Sequence, residues 1–288
     1  MGSCSEGAPD FIRVRRGAPI VALLLLQFST APALAQHCEP PTTPEALPFR
    51  ATARAEAAHF ESGDERGFYE GFALGAAAHY AVFRARASLP YYRLLESTGP
   101  ANGLGDLETK LEGAVFDDAT WSLGGAFAAS FPTGSAQKRL GMGHVMLGPS
   151  VWLSRGSRRL FASAELGFMT ALDGSSDDSS TPEGGHAHHH HQAAANAHHE
   201  AGGPIPNPMN PHETWLGVGV SYEPLPVLRL SLGGTGAVPT TDDGESRATL
   251  RAGVEFPLGV LTTGVGCEVD VLGVTRREVM VATLGGLF

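Results

Sequence analysis

Hydrophobic and polar residues alternate along most of the chain after its first fifty residues. In the segment 104–116, for example, Leu107 and Leu111 fall on one face, whereas Glu108 and Glu112 fall on the other. This period of two is typical of a β-strand, because successive side chains point to opposite faces. The pattern predicts a weak strand at about 51–60 and eleven clearer ones at about 68–80, 82–92, 104–116, 121–132, 144–154, 160–172, 213–223, 227–238, 246–257, 260–271 and 278–288.

The predicted connections alternate in length. They are short at 117–120, 155–159, 224–226 and 258–259, and longer at 93–103, 133–143, 173–212 and 239–245. Soluble sandwiches and barrels also alternate along their strands, but short turns on one side and long loops on the other are typical of outer-membrane barrels. We therefore predict an all-β fold over residues 51–288, a transmembrane antiparallel up-and-down β-barrel of about twelve strands, of the bacterial outer-membrane type.

The two ends of the chain support export to an outer membrane. Residues 1–35 have basic arginines, an apolar run and a small-residue site at Ala33-Leu34-Ala35, which predicts a cleaved signal peptide. Residues 36–50 would then form a short periplasmic segment. The last strand ends in Leu287-Phe288, and a terminal aromatic residue is the usual signal for the barrel assembly machinery. We expect the outer membrane of a Gram-negative bacterium as the location, with its lipid as a partner.

Composition excludes several other classes of protein. The chain has 20 basic and 30 acidic residues, for a formal charge of -10, which argues against a nucleic-acid partner. Three cysteines in 288 residues cannot form a disulfide scaffold. After the signal peptide, the sequence has no apolar run long enough for a membrane-spanning helix.

The non-apolar faces of the strands carry charges of both signs, which we expect to line the inside of the barrel. Opposite charges on neighbouring strands would pair. Two interpretations remain open: structural pairing that plugs the lumen, or a lining that selects solutes. The predicted lining residues are Arg84, Arg86, Glu108, Lys110, Glu112, Glu165, Arg229, Arg247, Arg251, Glu255, Glu268 and Asp270.

A histidine-rich segment lies within the predicted external loop 173–212. Imidazole is a good ligand for zinc, copper and nickel, and dense histidines can form several alternative sites without a fixed fold. The segment predicts metal binding at the cell surface, which could be functional or incidental. The candidate ligands are His186, His188, His189, His190, His191, His198 and His199.

Several short motifs resemble a known family. The segment Leu89-Pro90-Tyr91 is followed by Gly103-Leu104-Gly105-Asp106, and later by Pro132-Thr133-Gly134 and Gly148-Pro149. Together they resemble the outer-membrane transporter-like family named for the MetA pathway of phenol degradation, over roughly residues 68–172. The resemblance implies an outer-membrane barrel that passes small, aromatic or apolar compounds, and it implies no particular site residues. From the residues themselves, Gly103 and Gly105 permit a turn or bulge, and Asp106 can accept hydrogen bonds from backbone amides.

The leading functional prediction is a passive transporter or channel for small molecules. The alternatives are a metal-binding surface protein anchored by its barrel, and a structural barrel with a plugged lumen. No nucleophile and histidine pair forms a recognisable motif, so we predict no catalytic site and no required cofactor.

Overall fold

The computed structural model describes residues 49–96, 99–172, 204–241 and 244–287. The predicted signal peptide, nearly all of the predicted periplasmic segment, all seven candidate metal ligands and Phe288 lie outside these residues. The described strands are β1 (Phe49–Ser62), β2 (Glu65–Tyr80), β3 (Phe83–Glu96), β4 (Gly99–Leu104), β5 (Leu107–Asp117), β6 (Trp121–Phe131), β7 (Val145–Gly156), β8 (Leu160–Leu172), β9 (His212–Leu225), β10 (Leu228–Pro239), β11 (Arg247–Leu258), β12 (Leu261–Leu272) and β13 (Thr275–Leu287).

The strands form one closed antiparallel barrel. Consecutive strands pair with each other except β4 with β5, and β1 pairs with both β2 and β13, which closes the ring. The short strand β4 pairs with the second half of β3, and β5 pairs with the first half, so β4 and β5 share one place in the wall. The wall therefore has twelve strand positions, as predicted.

The connections differ between the two ends of the barrel. At one end, here called the short-turn end, the turns are 81–82, 118–120, 157–159, 226–227 and 259–260. The opposite, long-loop end carries the connections 132–144, 173–211 and 240–246, together with the short turns 63–64 and 273–274. The predicted long loop at 93–103 is wrong, because β3 continues to Glu96 and β4 returns along it from Gly99. Polar residues and glycines in that hairpin weaken the alternation of hydrophobic and polar residues that predicts a strand.

The outer surface of the wall is apolar. Along β8, for example, the outward-facing Leu160, Leu166 and Phe168 are exposed, whereas the intervening Glu165 is 2% exposed. Exposed aromatic residues lie near the strand ends, among them Tyr80, Phe83 and Trp121 at the short-turn end and Phe131 at the other. Such a surface suits hydrocarbon with an interfacial aromatic belt, and a closed ring leaves no unpaired strand edge in lipid. The fold is thus the predicted outer-membrane type of barrel.

Candidate site inside the barrel

A buried charged network crosses the interior between strands that are not neighbours in the wall. The ammonium of Lys110 on β5 donates to Glu165 on β8 at 2.7 Å. The same ammonium lies 3.8 Å from Glu112, which also contacts Arg86 at 3.2 Å and Arg84 at 3.9 Å. Lys110 and Glu165 are only 4% and 2% exposed, so water does not solvate their charges. Each charge is compensated by the other instead.

A second network lies on the opposite side, around β1, β12 and β13. Arg54 contacts Glu56 at 2.5 Å and Glu268 at 3.4 Å. Arg277 forms a two-pronged pair with Asp270, at 2.6 and 3.1 Å. Planar guanidinium and carboxylate groups pair well in this geometry, which fixes both side chains.

All twelve predicted lining residues lie inside the barrel and contact another inward-facing group. Glu108 accepts from the side chain of Asn207 at 3.0 Å, Arg251 donates to Thr235 at 3.3 Å, and the others belong to ion pairs. The remaining pairs are Arg229 with Glu223 and Glu255, and Arg247 with Glu213.

The sequence analysis missed several inward-facing charges. Arg54 and Glu56 alternate with alanines in β1, so the contrast between the two faces of that strand is weak. Arg277 immediately precedes the predicted strand start at 278, although it is in phase with the buried Val279. Glu213 is 0% exposed. It is the first residue of the predicted strand 213–223, and the sequence analysis did not include it among the inward-facing residues.

The loop 132–144 closes part of the long-loop end, and Asp106 anchors it. The Asp106 carboxylate accepts hydrogen bonds from the backbone amides of Gly134 at 3.0 Å and Met142 at 2.7 Å. Thr133 completes the junction, since its hydroxyl donates to the Gly105 carbonyl at 2.7 Å. A side chain at Gly141 would meet the same carboxylate at 2.3 Å, so only glycine fits there. The motifs around Asp106 and Thr133 are therefore the two halves of one anchor.

The segment 204–211 enters the same end of the barrel. Ile205 is fully buried against Phe60, Tyr69 and Leu94, beside Leu140 of the first loop. Its amide donates to the Arg139 carbonyl at 3.1 Å, so the two segments also contact each other.

On the far side of the interior, a methionine-rich cluster continues the apolar filling. Met146 and Met169 are buried with Trp215, and Met142 and Met209 of the two loop segments pack against them. The long-loop half of the interior therefore holds two apolar clusters beside the ion pairs Arg247–Glu213 and Arg277–Asp270. A cavity beside Tyr69, Tyr92 and Asn207, lined also by Arg54 and Arg277, has a volume of about 30 Å³, enough for a water molecule but too small for an aromatic ring.

Glycines reduce the side-chain volume on one side of the interior. Six inward-facing glycines lie on the four adjacent strands β9 to β12. They are Gly217, Gly219, Gly233, Gly253, Gly264 and Gly266. A Cβ atom added at Gly217 would meet nothing closer than 3.5 Å, whereas at Gly233, Gly253, Gly264 and Gly266 it would lie within 3.0 Å of a neighbouring atom.

No helix within the described residues is long and apolar enough to cross a membrane. They also contain no group of three or more histidine, cysteine or acidic side chains that could hold a metal ion.

Comparison with known proteins shows the fold. No protein-family model matches the chain, and no curated protein matches it. An outer membrane channel from Pseudomonas putida F1 has a similar crystal structure, with a TM-score of 0.65 and 11% identity over 87% of this chain and 99% of that one.

Two other solved barrels are more distant. The toluene transporter TbuX of Ralstonia pickettii has a TM-score of 0.42 and 10% identity over 84% of this chain and 90% of that one. The KdgM porin has a TM-score of 0.47 and 9% identity over 82% and 99%. Scores this low support no argument about this chain.

Proposed function

We propose that the protein is a passive channel in the outer membrane of a Gram-negative bacterium, and that its solutes are small aromatic or apolar molecules. The apolar outer wall supports a place in a membrane. The likeness to the Pseudomonas channel and the motifs shared with the phenol-pathway transporter-like family support a role in passage.

The apolar clusters in the long-loop half support the proposal that the solute is a small aromatic or apolar molecule. Two loop segments place Leu140, Met142, Ile205 and Met209 inside that end, where these residues join apolar clusters of the wall. Methionine side chains adapt readily to differently shaped apolar partners. The cavity of about 30 Å³ beside Tyr69 cannot hold an aromatic molecule, so passage at that point requires neighbouring side chains to move.

The charged networks fit a solute without net charge. The Lys110–Glu165 and Arg277–Asp270 pairs satisfy each other at 2.7 and 2.6 Å, so an ion passing between them would have to replace a compensated partner. Beyond them, the inward-facing glycines of β9 to β12 leave fewer side chains for a solute to displace.

A matched pair of glycine substitutions tests whether solute passes through the lumen. Gly217→Leu places a side chain inside the barrel, where a Cβ atom meets nothing closer than 3.5 Å. Gly236→Leu, where a Cβ atom meets nothing within 4 Å, places it on the outward face of the neighbouring strand. The assay is uptake of the apolar dye N-phenylnaphthylamine by a porin-deficient Gram-negative host, followed by fluorescence.

We expect the wild-type chain to raise the initial uptake rate several-fold over empty vector. Gly217→Leu should abolish most of that gain and Gly236→Leu should keep it, at equal amounts of folded barrel. Equal rates with and without the chain would instead favour a structural barrel with a plugged lumen.

Metal binding at the cell surface is the second candidate. The seven histidines between residues 186 and 199 favour it, and their segment joins Leu172 to His212 at the long-loop end. Deletion of 183–200 should then lower the zinc and copper tolerance of the host without changing dye uptake, and unchanged tolerance would count against this function.

A further inference from the structure

Three arginines cluster at one point of the short-turn end. Arg155 is the last outward-facing residue of β7, and Arg158 and Arg159 form the following turn, which Ser157 closes by hydrogen bonding to Leu160. All three arginines are exposed. Within the described part of the chain, none of them has a carboxylate within ion-pairing distance.

A tryptophan at the edge of the apolar wall contacts one arginine of this cluster. Trp121 on β6 lies opposite Arg155 in the strand register, and the guanidinium carbon is 5.0 Å from the centre of the indole ring. The next outward-facing residues, Leu123 and Leu153, are exposed and belong to the apolar outer wall. The guanidinium therefore lies just beyond the apolar wall, at the level where lipid headgroups meet hydrocarbon.

The neighbouring acidic groups are already engaged. Glu223, whose amide donates to the Arg159 carbonyl at 2.8 Å, pairs with Arg229 inside the barrel. Asp118 in the adjacent turn accepts from the amides of Thr120 and Trp121, both at 2.7 Å. Asp117 accepts from the hydroxyl of Ser122, which is buried on the inner side of the wall. None of these carboxylates neutralises the arginines on the outer side.

The other turns of the short-turn end differ in character. Three of them have apolar tips with the exposed residues Val82, Val227 and Val260, and the remaining one is acidic. All five turns are described, and only the turn after β7 has basic residues. Apolar tips fit a barrel end that lies in the headgroup region of a bilayer, so the arginines face headgroups and not open water.

From this geometry we propose that Arg155, Arg158, Arg159 and Trp121, here called the basic rim, bind the headgroup of an anionic phospholipid in the leaflet at the short-turn end. Guanidinium groups bind phosphate oxygens in a two-pronged geometry. A headgroup without a cation, such as phosphatidylglycerol, fits three arginines better than phosphatidylcholine, whose ammonium they would repel. The lipid would fix the depth of the barrel in the leaflet.

Native mass spectrometry of the full chain tests this site. The protein is released from micelles that contain equal amounts of phosphatidylglycerol and phosphatidylcholine, and the ratio of the two bound lipids is measured. The test variant replaces Arg155, Arg158 and Arg159 by alanine. The control variant removes the same charge at the opposite rim, with alanine at Arg66, Arg93 and Arg276, which are exposed there.

We expect the wild type and the control variant to retain phosphatidylglycerol preferentially. Each interfacial arginine contributes roughly a fivefold preference for the anionic lipid. The ratio of bound phosphatidylglycerol to bound phosphatidylcholine should therefore fall at least about tenfold in the test variant. Millimolar inorganic phosphate should leave the ratio unchanged. A wild type without preference, an equal loss in both variants, or displacement by free phosphate would overturn the proposal. Heat-modifiable mobility on gels verifies that all three proteins are folded.

Discussion

The anchor at Asp106 makes a quantitative prediction about the loop 132–144. Its carboxylate accepts the amides of Gly134 and Met142, at 3.0 and 2.7 Å. A hydrogen bond to a charged group contributes about 1.5–3 kcal/mol, so Asp106→Ala should lower the free energy of local opening by about 3–6 kcal/mol. About 1.4 kcal/mol corresponds to a tenfold change in the opening equilibrium constant. Protection of these two amides against hydrogen exchange should therefore fall by a factor of roughly 10²–10⁴.

Two further variants make this prediction specific. Asp106→Asn keeps one acceptor oxygen and should lose about half as much, roughly 10- to 100-fold in protection. Asp118→Ala is the matched control, because Asp118 also accepts two backbone amides, both at 2.7 Å, but at the opposite end of the barrel. Unchanged protection at Gly134 and Met142 in Asp106→Ala, or an equal loss in Asp118→Ala, would refute the assignment of Asp106 as the anchor.

Three other predictions follow from the same structure. Lys110→Met should lower the free energy of unfolding by about 3–5 kcal/mol, and adding Glu165→Leu should restore most of it in urea titrations; a fully stable single variant would contradict the buried pairing. The backbone amides of Trp121 and Thr120 hold the pKa of Asp118 below its ordinary value of 3.8, so its carboxylate stabilises the turn above that pH and loses this effect as the pH falls through the lower pKa. A carboxyl NMR titration with a midpoint at or above 3.8 would disprove this. Deletion of 183–200 should remove zinc binding in calorimetry at neutral pH, and wild-type binding should weaken below about pH 6 because histidine protonates near pKa 6.5; binding that survives the deletion would exclude these histidines as ligands.

The alternation of side chains was sufficient to predict the wall. Lipid-facing positions must be apolar, whereas inward positions need not be, and β5 and β8 show this alternation clearly. Counting the alternating segments gave the twelve strand positions of the wall. The hairpin of β3 and β4 was missed because it extends beyond the apolar wall, where neither face of a strand has to be hydrophobic. The weak contrast in β1 has a different cause, since alanines occupy many of its outward positions.

The interior was predictable only where it belongs to strands. The phase of each strand identified Lys110 and Glu165 as inward-facing, but not that they meet across three strand positions. The partners of Asp106 lie 28 and 36 residues away in a loop, and Ile205 enters the barrel from another. Such contacts depend on how loops fold back into a closed ring, for which the sequence has no periodic signal.

The central claim is that the barrel passes small apolar molecules and excludes hydrophilic ones. The most direct measurement compares two uptake rates in the same porin-deficient cells, N-phenylnaphthylamine for an apolar probe and nitrocefin, hydrolysed by a periplasmic β-lactamase, for a hydrophilic one. We expect the chain to raise the first rate several-fold and to leave the second unchanged, because two apolar clusters occupy the long-loop half and its charges are paired with each other. An increase in the nitrocefin rate of the same size, or no increase in either rate, would contradict the account.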